Sequence, residues 1–333
     1  MKKSLIALAV LASAAGAASA QSSVTVYGRV YLGMVKDTQG QSARLDAANG
    51  TSQVGFRGQE DLGGGLKATF DLRHRFSAES GNNDGTANAR PFWQGSSKVG
   101  LAGGFGSVEV GRMLTALRAP IDTVDPWVTT TVGSVASLAT GYATDPRQPD
   151  GGGLGRADVI TYTSPTFGGL SGALSYGPKT SAAVVPRTVG AKALISTWLQ
   201  YANGPIYVGG GYEQNRADDD VAAIMASYDF GVAKLLGGYS QVDTVAITGS
   251  ERENWSIGVI APFGAAVLKA GYSRSEAERT AAKTTKAAIG AEYNLSKRTY
   301  LYTTFARNKG PAVTGVTGAP AKSAWDLGLS HSF

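Results

Sequence analysis

The residues of this sequence whose types and spacing suggest chemistry are basic. Arg73 and Arg75 alternate with Leu72, His74 and Phe76, and Arg57 stands between Phe56 and Gly58 in a shorter alternation. Cations repeated on one face attract and steer anions; they do not break bonds. Bond-breaking groups are scarce, with no Cys and only two His in 333 residues, so thiol chemistry is excluded and no metal site is expected. His74 shares the parity of Leu72 and Phe76, and His331 that of Leu329 and Phe333, which puts both on the apolar side of their segments, away from any serine they could activate. The glycines at 63–65 and 151–153 lack the Lys-Ser/Thr of a phosphate loop. Asp218, Asp219 and Asp220 read as a short polar loop, and the basic residues are too dispersed to grip nucleic acid. Neither an enzyme nor a cofactor is expected.

Such spacing requires strands. From Leu66 to Phe76 the even positions are Leu66, Ala68, Phe70, Leu72, His74 and Phe76, and the odd ones Lys67, Thr69, Asp71, Arg73 and Arg75. Only a two-residue period sorts them so. The 45 glycines argue further against helices. Sixteen strands are predicted, at 23–35, 50–59, 66–78, 91–102, 106–113, 156–164, 169–177, 190–202, 205–215, 220–229, 233–243, 253–261, 265–275, 284–294, 298–308 and 321–333. Parity leaves the facing of 190–202 and 298–308 open. Tight turns alternate with longer polar loops, the layout of an antiparallel transmembrane β-barrel with its short turns in the periplasm. Closure removes the unpaired edges that so large an open sheet would carry. A soluble sandwich or propeller would use shorter strands, commonly 5–6 residues. Tyr27, Tyr228, Tyr239, Tyr272 and Tyr293 are expected in interfacial girdles.

The address follows from the N-terminus. Lys2 and Lys3, the apolar stretch Leu5 to Leu11, and Ala18-Ser19-Ala20 before Gln21 predict a cleaved secretory signal peptide over 1–20 and a barrel over 21–333. Removing the two lysines lowers the net charge from +6 to +4. At sixteen strands side chains cannot fill the lumen. Parity sends Arg57, Arg73 and Arg75 into it. The connection from Met113 to Gly155 holds 43 residues, far more than its neighbours, with Asp122, Asp125, Asp145 and Asp150 against Arg118 and Arg147. Loops of that length usually have a function.

Several segments resemble the Gram-negative general diffusion porins of the Neisseria and Burkholderia type. They are Ser23-Val24-Thr25-Val26-Tyr27-Gly28, VGFRGQEDLGGGLKATFDL from Val54 to Leu72, VGLAGGFGSVEVGR ending at Arg112, TYTSPTFGGL from Thr161 to Leu170, and the terminal Gly328 to Phe333. The resemblance implies a 16-stranded barrel, a homotrimer, and passive diffusion of small hydrophilic solutes and inorganic ions. It implies that the long third loop bends into the lumen as a constriction. It adds Arg29, Arg112 and Arg156 to the pore lining, and makes Phe333 an assembly signal for the outer-membrane insertion machinery. Gln53 and Gly95 stand where the family commonly carries arginines.

These readings converge on a channel in a Gram-negative outer membrane, embedded in its lipid, with a mild anion preference. Asp122 and Asp125 are expected to face Arg29, Arg112 and Arg156 across the aperture. The alternative is an outer-membrane adhesin or receptor acting through its loops. The loops other than the third are short for that purpose, which favours the channel.

Overall fold

A two-residue hydrophobic period becomes extended chain, and extended chain in a membrane must pair on both edges. In the computed structural model, residues 23–37, 42–47, 51–83, 92–128, 130–135, 155–178, 192–216, 218–243, 251–278, 282–310 and 323–333 are described. The expected leader, 1–20, lies outside them, as do Asp145, Arg147, Asp150 and the glycines at 151–153.

The strands are β1 (Ser23–Lys36), a three-residue β2 (Arg44–Asp46), β3 (Ser52–Gly63), β4 (Leu66–Phe76), β5 (Ser96–Gly103), β6 (Gly106–Leu114), β7 (Arg156–Thr163), β8 (Leu170–Gly177) and β9 (Leu194–Asn203). The second half holds β10 (Ile206–Gln214), β11 (Asp220–Asp229), β12 (Lys234–Asp243), β13 (Arg252–Phe263), β14 (Ala266–Ala277), β15 (Lys283–Asn294), β16 (Thr299–Lys309) and β17 (Ser323–Ser332). Apart from β2, which pairs only briefly with β1, these are the sixteen expected strands, each antiparallel to the next. β1 closes on β17 from Arg29↔Ser332 to Lys36↔Trp325, giving one closed 16-stranded barrel. Strands of about ten residues rise roughly 33 Å and, tilted near 40°, cross an apolar layer of about 25 Å.

The barrel is apolar outside and mixed within. On β11 Val221 and Met225 face inward and are buried, while Ile224 between them is 56% exposed to the membrane side. Val24, Val26, Val30 and Met34 form the equivalent outward row of β1. The same alternation settles the two ambiguous strands. Trp198 points inward and Ile195 and Leu199 outward; Tyr302, Thr304 and Ala306 point inward, and Leu301 and Phe305 outward.

Three expectations change. β5 begins at Ser96 instead of 91, because Phe92 and Trp93 fold onto the outer surface, where Phe92 stacks on His74 at 4.1 Å and Trp93 meets Phe56 edge-on. β3 runs on to Gly63, so its turn shrinks to Gly63-Gly64-Gly65, all at positive φ, a backbone that favours glycine. Tyr27 is no girdle residue: it is inside, donating a hydrogen bond to Asp71 with the Arg57 guanidinium 5.0 Å from its ring centre. Tyr228, Tyr239 and Tyr293 are exposed on the outer surface as expected.

Candidate functional site

The connection after β6 enters the barrel and lies along its wall. Thr115 donates to Glu213 of β10 at 2.5 Å, and the amides of Ala116 and Leu117 donate to Ser175 of β8 and Ser196 of β9 at 3.0 and 2.9 Å. One short helical turn follows, α1 (Arg118–Ile121), then a 3-10 turn, Asp122–Val124. Leu117, Ile121 and Val124 cover Trp198, Val221, Met225 and Leu236, so an apolar stretch of inner wall is matched by an apolar stretch of loop. Further along, Trp127, Val132 and Val135 pack on Val35, Ala288, Ala306 and Ala324, and the Val132 amide donates to Asp326 of β17 at 2.9 Å. The loop therefore lines the lumen from β8 round to β17.

Its seat is built from missing side chains. A Cβ at Gly258 would fall 2.4 Å from Pro126, one at Gly271 2.9 Å from the Trp127 ring, and one at Gly290 2.9 Å from Trp127 Nε1. Three inward positions on adjacent strands β13, β14 and β15 are thus kept bare for Pro126 and Trp127. Lys286 closes the seat by donating to the Ser134 carbonyl at 3.0 Å.

The wall left open carries the arginines. Arg29 donates to the Thr51 carbonyl at 3.2 Å and Arg75 to the Thr51 hydroxyl. Arg73 and Arg156 converge on the Gly95 carbonyl at 2.9 and 3.1 Å, and Arg112 reaches the Gln94 carbonyl at 3.0 Å. Gln94 in turn donates to the Arg75 carbonyl, tying the two corners together. Arg75, Arg73, Arg118 and Arg112 all lie near enough to Arg156 to act on it electrostatically. These hydrogen bonds go to neutral backbone and hydroxyl oxygens, which hold each guanidinium in place. Arg57 is separate: it pairs across from Thr25 and lies nearer the periplasmic turns.

Arg112 and Arg156 escape the simple alternation, since their neighbours Val110 and Ile160 face outward. Gly111, at φ 133°, breaks the pleat one residue before Arg112. The Gly95 departure also acquires a reason. A side chain there would meet the Arg73 carbonyl at 2.8 Å, so position 95 serves the arginines as an acceptor.

The acids do not stand as expected. Asp122 accepts from Arg118 at 2.7 Å, a pair within the loop itself. Asp125 is 2% exposed and faces no aperture. Its oxygens accept from the amides of Trp127 and Val135 and from the Ser134 hydroxyl, because the chain reverses there and three donors need a partner. Asp71, Lys98 and Glu109 join Arg73 in the lumen, beyond the lining residues expected from the sequence. Asp71, Arg73, Lys98 and Glu109 border two adjoining voids of about 470 and 590 Å³, and Lys98 pairs with Glu109 at 2.7 Å. Inward parity could have found Asp71, and the diagonal placement of Lys98 and Glu109 across one hairpin could have found the pair.

A closed sixteen-stranded barrel, apolar outside, whose lumen holds an inserted loop opposite a basic wall, defines a membrane channel of the porin class. Residues 7–312 match the family described as Gram-negative porin, and the chain belongs to it. Outer membrane porin protein 32 of Delftia acidovorans is 33% identical over the whole of both chains, and major outer membrane protein P.IB of Neisseria lactamica is 28% identical, also end to end. The anion-selective porin from Comamonas acidovorans has the same fold, with a TM-score of 0.79 and 28% identity over 94% of this chain and all of that one. The protein is an outer-membrane porin, a passive channel for small hydrophilic solutes and ions. Nothing in these likenesses supports an adhesin or receptor.

Proposed function

We propose that this channel has a mild anion preference set by Arg29, Arg73, Arg75, Arg112 and Arg156, with Arg57 acting nearer the periplasmic side and Asp122 as an opposing acid of the loop. The observation that carries this reading is the asymmetry of the constriction: guanidinium groups fixed to carbonyls on one wall, and a loop whose described acids are engaged within the loop on the other. The name of the Comamonas relative, an anion-selective porin, agrees with it. The test is a planar-bilayer recording in a salt gradient, where a reversal potential on the anion side supports the reading and one on the cation side removes it.

The reading includes cleavage after Ala20, trimeric assembly, and recognition of Phe333 by the insertion machinery, and it involves no catalytic step. The leader is supported by the basic, apolar and A-x-A order of residues 1–20. Phe333 is supported by its place at the seam, where its amide and carbonyl both pair with Gly28 at 3.0 Å.

A further inference from the structure

Two voids in the lumen meet at one cluster of charge. The lower, about 590 Å³ and nearer the periplasmic turns, is lined by Thr25, Tyr27, Arg57 and Gln59. The upper, about 470 Å³, is bounded by Ala116, Ala119 and Pro120 of the inserted loop and by Trp198 of the wall. Asp71, Arg73, Lys98 and Glu109 border both. Arg57 on β3, Asp71 on β4 and Lys98 on β5 are in register, so charges of alternating sign stand on neighbouring strands about 4.8 Å apart.

Opposite charges placed directly across a strand pair ordinarily join. Lys98 does so with Glu109, at 2.7 Å. Arg57 and Asp71 do not, because Tyr27 engages both: its hydroxyl donates to Asp71, and the Arg57 guanidinium lies 5.0 Å from its ring centre. A Cβ at Gly55 would fall 2.6 Å from the Tyr27 ring, so the ring crosses β3 at a bare position to reach β4. Among the described residues neither Arg57 nor Asp71 makes an ion pair, and Arg57 is exposed to the lumen. One base and one acid are thus held open a few ångströms apart, beside a void whose far wall is apolar.

We propose that the two voids form a binding station for zwitterionic amino acids with apolar side chains. Arg57 takes the α-carboxylate, Asp71 takes the α-ammonium, and the side chain lies against Ala119 and Pro120 in the upper void. A plain anion would gain Arg57 but face Asp71, and a plain cation the reverse; a solute carrying both charges gains on both sides. Each void falls within the roughly 300–1,000 Å³ usual for small-molecule sites. The station goes beyond the anion preference, which concerns inorganic ions at the arginine wall.

The channel in a planar bilayer at pH 6 and 0.1 M salt can be titrated with L-phenylalanine, N-acetyl-L-phenylalanine, L-phenylalaninamide and glycine, reading the fall in single-channel current. The expected result is saturable block by L-phenylalanine, with the other three at least about five-fold weaker, the ratio one exposed charge contact supports. Asp71→Asn should weaken L-phenylalanine to a similar degree and spare the N-acetyl compound, whereas Arg57→Gln should weaken both and spare the amide. Tyr27→Phe should weaken L-phenylalanine with both charges intact, by letting Arg57 and Asp71 pair. Ala119→Leu, at an exposed loop position, should bring L-phenylalanine down to the level of glycine. Block by the N-acetyl compound or the amide as strong as by L-phenylalanine, or an unchanged titration in both Asp71→Asn and Arg57→Gln, would overturn the station, even where the reversal potential stays on the anion side. A reversal potential on the cation side, with selective block by L-phenylalanine intact, would remove the anion preference and support the station.

Discussion

Arg112 and Asp125 differ in what their charges meet: Arg112 rests on the Gln94 carbonyl, and Asp125 is buried among three donors of its own loop. Unit charges 4 Å apart in water interact by about 1 kcal/mol, roughly a five-fold change in local ion concentration. Arg112→Gln and Arg156→Gln should therefore each shift the reversal potential toward cations at 0.1 M salt, where the Debye length is about 10 Å, and much less at 1 M, where it is about 3 Å. Asp122→Asn should move it modestly the other way by releasing Arg118. Asp125→Asn should leave selectivity alone and instead raise current noise, because it weakens the acceptor of three loop donors. A selectivity change from Asp125→Asn matching that from Asp122→Asn would contradict this assignment. Parity alone pointed Arg57, Arg73 and Arg75 inward. It could not point to Arg112 and Arg156, because the positive-φ glycines just before them, Gly111 and Gly155, are conformational facts that no periodicity encodes.

The strands were legible nearly throughout, since each has one face in lipid and membrane thickness fixes its length. Where the reading slipped, a side chain found a partner off its strand: Phe92 on His74, or Tyr27 on Asp71. The inserted loop was legible as a length but not as a path. Its path depends on Gly258, Gly271 and Gly290 being bare at neighbouring inward positions, a match between three strands and one loop. Gly271→Leu should consequently lift Trp127 off the wall, at an overpacking cost of about 1–3 kcal/mol, and narrow the passage. Single-channel conductance should fall while the barrel remains heat-modifiable. Trp127→Ala should do the reverse, loosening the seat and widening or destabilising the open level. Equal conductance in both variants would mean that the loop does not bound the passage.

At the scale of the whole molecule, the two ends of the chain meet at the seam. Phe333 pairs with Gly28, and its ring occupies the space that a Gly28 side chain would need, with Cζ 2.4 Å from that Cβ position. Deleting Phe333 should lower the yield of heat-modifiable protein in outer-membrane fractions without reducing export. Intact mass of the membrane-extracted chain should begin at Gln21; a mass retaining residues 1–20 would refute the leader. A short tag after Gly81, at an exposed loop, should be tolerated and reached by antibody on whole cells, whereas one between Gly63 and Gly65 should not be reached.

The same seam governs how the chain can fold at all. Arg29 finds its partner Ser332 roughly 300 positions away, so the contact that completes the ring has one of the largest sequence separations available, and such contacts form slowly. Every intermediate short of it has two raw edges and a lipid-facing surface open to water. A chain stopped before β17 should yield no narrower channel, only aggregate or proteolysis. The barrel is therefore an all-or-none object, and its precursor must be kept from collapsing until both ends are together at the membrane.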